Sequence, residues 1–107
     1  TATTFTLTAT PTNVAVGEII TVTYDKSGFY NYELDVIAYD NLPKGGVVKL
    51  SGPTYNATED MTYWTYRATS VGTVVFSTGP KTDPVTITAK PHPMALFMKI
   101  LGLGQTD

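Results

Sequence analysis

The sequence of 107 residues contains no cysteine and one histidine, and only 15% of its residues are charged. Without cysteine there is no disulfide framework, no thiolate zinc site, no CxxC redox pair and no cysteine nucleophile. Seven Lys and Arg stand against nine Asp and Glu, a net charge of -2. That balance lacks the basic footprint of a nucleic-acid binder. No apolar run approaches the roughly 20 residues of a membrane-spanning helix, so no transmembrane segment is expected. No signal peptide is visible, and a start at Thr1 reads as a processed form or an excised piece.

What is abundant points to strands. Threonine occurs 20 times, valine 10 times and tyrosine 7 times, all residues that suit a pleated, half-wet surface. Nine glycines and seven prolines supply turns. Aromatics at 11% argue against disorder, and one domain of this length can bury a core, with a modest margin. Period-2 alternation runs to about Lys90. It sets Phe5, Leu7 and Ala9 on one face, then Ile20, Val22 and Tyr24. Next come Tyr32, Leu34, Val36 and Ala38 within a strand over Tyr30 to Tyr39. A short strand over Val47 to Leu50 is expected to close at Ser51-Gly52-Pro53. Trp64, Tyr66 and Ala68, then Val74 and Phe76, then Val85, Ile87 and Ala89 complete the expected core. Asn13 to Val16 continues the first run along an edge. Seven or eight short strands with evenly spaced turns predict an all-β, antiparallel β-sandwich over residues 1–90.

After Pro91-His92-Pro93 the character changes. Residues 91–107 form a Pro-bounded linker and a short apolar C-terminal tail, Met94 to Leu103 carrying Lys99 as its one charge. Read as a helix, this tail sets Leu96, Phe97, Ile100 and Leu101 on one side, which suits a protein interface with a partner, a neighbouring subunit or a neighbouring domain. The plainer readings are a segment folded back on its own domain, or a connector or remnant.

Several residues suggest chemistry without carrying it. His92 lies between two prolines and reads as an exposed linker residue rather than the base of a triad. Glu33 and Asp35, two residues apart on an expected strand, would place their carboxyls about 7 Å apart, a separation that glycosidases use. A solvated strand face explains the pair as well. Asp25, Asp40, Glu59, Asp60 and Asp83 fall at expected strand ends, yet no loop has calcium-ligand spacing, so no metal and no cofactor is assigned. Asn56-Ala57-Thr58 is an N-glycosylation sequon in an expected loop. Phe29, Tyr30, Tyr39, Tyr55 and Tyr63 read as loop or outward aromatics and are the candidates for a ligand surface, for a protein or a glycan.

Three stretches carry a resemblance. They are Phe5-Thr6-Leu7-Thr8-Ala9, Val16-Gly17-Glu18-Ile19-Ile20-Thr21-Val22-Thr23, and the hairpin Tyr66 to Phe76 with its Ala68-Thr69-Ser70-Val71-Gly72-Thr73 core. The span they frame, Phe5 to Lys90, resembles the immunoglobulin-like modules of prokaryotic surface proteins and of phage virions. The resemblance implies an immunoglobulin-like sandwich, a structural or adhesive role without catalysis, and a place outside the cell, on its surface or on a virion. The element order also looks like the chagasin family, immunoglobulin-like inhibitors of papain-type cysteine proteases. Of that family's loop motifs, the loop Asp25 to Phe29 keeps a Gly-aromatic ending, and Gly79-Pro80-Lys81-Thr82 keeps a proline. A carbohydrate-binding module is the third reading that the aromatic residues support.

Overall fold

The computed structural model describes residues 6–26 and 28–90. Phe5 and the expected tail, with His92, Leu96, Phe97, Ile100 and Leu101, lie outside the described residues. The expected division between residues 1–90 and 91–107 falls at their edge.

Eight strands, β1 (Thr6–Thr10), β2 (Asn13–Ala15), β3 (Ile19–Asp25), β4 (Asp35–Ile37), β5 (Gly46–Asn56), β6 (Met61–Ser70), β7 (Gly72–Ser77) and β8 (Val85–Thr88), make up the described regular structure. They form two four-stranded sheets, ordered β1-β3-β6-β5 and β2-β8-β7-β4. The architecture is all-β and sandwich-like. The first sheet is antiparallel throughout, whereas β2 pairs in parallel with β8. The second sheet is therefore mixed, a departure from the all-antiparallel expectation. Pro11 cannot donate to a ladder, and the chain leaves the first sheet there and joins the second shortly after, at Asn13.

Alternation sets the core. Leu7 and Ala9, Ile20, Val22 and Tyr24, and Trp64, Tyr66 and Ala68 point inward from the first sheet. Val14, Val74, Phe76, Val85 and Ile87 meet them from the second. The rings of Tyr66 and Phe76 lie 4.7 Å apart across the interface. Opposite faces hold most threonines of β1, β3 and β6, where a wet sheet face favours them.

Further expectations fail within the sheets. The strand over Tyr30 to Tyr39 shrinks to β4, because Tyr30 turns to pack on Tyr24 and Trp64 and residues 28–34 leave the ladder. Leu34 is still buried and Val36 packs on the core, but Tyr32 and Ala38 are exposed. β5 does not close at Ser51-Gly52-Pro53. It runs on to Asn56, because it is an edge strand whose register shifts absorb the proline. Tyr55 and Asn56 thus belong to a strand rather than a loop. Finally, Val75 is buried on the far face of β7, beside Ile37, while Ala89, past the end of β8, is exposed.

Candidate functional site

Strand register fixes which loops meet. Asp25 and Asn56 both pair with Met61, and Asp35 pairs with Ser77. The connections 26–34, 57–60 and 78–84 therefore open at the same pole of the molecule. The strand-to-strand turns around Gly17 and Val71 lie at the opposite pole, with the start of β3 and the ends of β6 and β8.

Asp60 organises the loop pole. Its backbone is left-handed (φ 56°), which aspartate tolerates better than most residues. Its carbonyl accepts a hydrogen bond from the Lys26 amide at 2.8 Å. Its Oδ1 accepts from the Gly28 amide at 2.8 Å and from the Tyr55 hydroxyl at 2.7 Å. The carboxylate thus ties the hairpin loop to the beginning of the 28–34 segment. The bond to Asp60 also raises the pKa of the Tyr55 hydroxyl, because it favours the protonated phenol.

Aromatic rings continue the anchoring. Phe29 lies over Tyr55 with centroids 6.1 Å apart. Tyr30 meets Tyr24 at 4.9 Å, Tyr32 at 5.3 Å and Trp64 at 5.9 Å, each close to edge-to-face, the geometry that aromatic quadrupoles favour. Burial pushes the Tyr30 pKa up, and Tyr24, Tyr32 and Asp35 add to the shift. Two rings on this anchored segment remain in solvent, Phe29 at 74% and Tyr32 at 68% exposure. They are the two most exposed large hydrophobic residues among those described.

Of the five expected ligand-surface residues, Phe29, Tyr30 and Tyr55 come together here. Tyr63 belongs to the outer face of β6, where its hydroxyl donates to Glu59, a bond that raises its pKa. Tyr39 lies apart, beside a concavity of about 190 Å³ lined by Ile37, Asp40, Val75, Lys81 and Thr82. Two contributors are not legible as such in the sequence. Alternation with Leu34 points Tyr32 to the core, and Asp60 reads there only as a possible metal ligand. Gly28 followed by Phe-Tyr-Asn-Tyr, with no aliphatic residue until Leu34, is the available sign of a loop.

Glu33 and Asp35 differ in setting. Glu33 lies outside β4, and both its oxygens accept from Lys49 Nζ, at 2.5 and 2.6 Å, while Asp35 opens the strand. Among the described residues no three His, Asp or Glu side chains converge as metal ligands. The Asn56 side chain is exposed at the end of β5, and its Oδ1 accepts from the Glu59 amide at 3.1 Å. No helix among the described residues is long and apolar enough to cross a membrane. Comparison of the chain with protein-family models, with curated proteins and with solved structures finds no match.

Proposed function

We propose that the chain is a non-enzymatic immunoglobulin-like module, a structural or adhesive part of a cell-surface or virion protein, whose contact surface is the loop pole. Strand order supports the immunoglobulin-like reading. The first strand is split between sheets, and its second half runs parallel to the last strand. One observation carries the functional reading. Phe29 and Tyr32 stand in solvent on a segment pinned by Asp60 below and by Tyr30 behind. Exposed aromatic rings on a preordered loop are a costly arrangement for a surface with no partner, and an efficient one for binding.

The test is adhesion. Beads coated with the full chain should bind a subset of a glycan and surface-protein array. Replacing Phe29 and Tyr32 together by serine should lower the bound fraction about tenfold or more, a typical loss for two aromatic anchors. Equal binding by the double variant, or no binding by the native chain, contradicts the reading.

One observation favours a second reading, a chagasin-type inhibitor. The loops 26–34 and 78–84, which carry the family's remnant motifs, open at one pole with the 57–60 hairpin. Papain activity left unchanged by micromolar chain excludes it.

A further inference from the structure

The two ends of the molecule differ in charge and in the kind of apolar surface they expose. At the loop pole, Asp25, Asp35, Glu59, Asp60 and Asp83 outnumber Lys26 and Lys81, and the exposed apolar groups are the rings of Phe29 and Tyr32. Glu33 and Lys49 neutralise each other between the poles. At the far pole, Lys44, Arg67 and Lys90 outnumber Glu18 and Asp40. The exposed apolar groups there are mostly aliphatic, Ile19, Leu42, Val48 and Val71, beside the ring of Tyr39.

The far pole has a defined centre. Arg67 on β6 is the cross-strand partner of Ile19 on β3 and of Val48 on β5. Arg67 and Ile19 are exposed, and Val48 is 49% exposed. A guanidinium thus stands between two aliphatic side chains on one row of the sheet, with the Val71 turn just past the end of the same strand. Such a row accepts an aromatic ring by stacking and apolar contact, and a neighbouring carboxylate by ion pairing.

We propose that copies of this chain associate head to tail, the aromatic, acidic loop pole of one copy docking on the Ile19–Arg67–Val48 row of the next. The partner is a second copy because each pole is rich in what the other has less of: rings and carboxylates at one end, aliphatic groups and cations at the other. The contact is heterologous, since the two surfaces differ and lie at opposite ends. Two copies leave one free site of each kind, so association continues as a linear array. The proposal rests on the reading of the loop pole as a contact surface and names its partner.

Sedimentation velocity of the full chain, from about 10 μM to 1 mM and at low and high salt, tests it. The native chain should gain mass with concentration, and high salt should shift association to higher concentration. Phe29→Ser and Arg67→Glu should each raise the dissociation constant about tenfold or more. The decisive experiment mixes them. Phe29→Ser keeps an intact far pole and Arg67→Glu an intact loop pole, so a mixture should form pairs and nothing larger. Lys44→Glu serves as a second far-pole variant should Arg67→Glu lose its native circular dichroism.

A native chain monomeric throughout overturns the proposal. So do single variants that associate as the native chain does, which would put assembly elsewhere. A mixture that stays monomeric overturns it as well. A monomeric chain whose beads still lose adhesion with the Phe29 and Tyr32 double variant refutes self-association alone. Self-association that survives in that double variant refutes the loop pole as the contact surface.

Discussion

Gly52 has a positive φ of 107°, and a Cβ there would lie 2.6 Å from the carbonyl oxygen of Tyr63 and 2.7 Å from Trp64 Cα. Both obstacles are backbone, so no rotamer change relieves them. Gly52→Ala should destabilise the fold by about 2–4 kcal/mol, read from the urea midpoint, since it adds a clash to a strained dihedral. An unchanged midpoint would mean that β5 shifts freely. Tyr66 offers a test by pH. Burial, with a smaller contribution from Glu33, pushes its hydroxyl from 10.0 up to about 12. The folded state therefore holds this proton more tightly than the unfolded state does. Its contribution to stability is complete below pH 10 and is lost as pH rises through about 12. The urea midpoint should fall over that window, and less steeply in Tyr66→Phe. A residual slope remains, because Tyr30, Tyr55 and Tyr63 are also shifted upward.

At the scale of elements, the segment 28–34 is a loop whose order comes from side chains rather than from a ladder. Asp60→Ala removes the acceptor of the Gly28 amide and of the Tyr55 hydroxyl and places alanine at a left-handed φ. It should cost about 1–3 kcal/mol, and hydrogen exchange should show the Gly28 amide losing protection. Asp60→Asn should cost less, because asparagine tolerates that dihedral. Equal protection in the alanine variant would contradict the anchoring role. The same segment shows where sequence reading stops. Alternation locates β1, β3, β6 and β8, because their buried positions repeat every second residue along regular ladders, whereas β7 is buried on both faces from Thr73 to Phe76. It misassigns Tyr32 because the aromatic spacing of Tyr30 and Tyr32, which pack edge to face, imitates a pleat. It closes β5 early because Gly52-Pro53 is punctuation in a central strand but tolerated at an edge, and position within a sheet is not written locally. The parallel pairing of β2 with β8 joins residues more than 70 apart, which no local period encodes. Phe29, Tyr30 and Tyr55 are legible as aromatic candidates. Their separation from Tyr39 and Tyr63 comes from register and the long β5, which only the assembled sheets fix.

Across the whole molecule, two sheets close on one core, and the surface chemistry is divided between the poles. The outer faces of β1 and β3 carry mostly threonine, while exposed rings and net negative charge gather where three loops open. This polarity suits a module that touches its partners end-on. Its central requirement is that the loop pole be as fixed as the sheets that carry it, because a mobile loop would spend binding energy on ordering. Backbone amide relaxation over the full chain measures this most directly. Order parameters for residues 28–34 should match those of β3 and β6, near about 0.85, and fall in Asp60→Ala. Values below about 0.6 for residues 28–34 in the native chain would contradict end-on contact through this pole, for Phe29 and Tyr32 would then be carried on a flexible loop rather than held out as a surface.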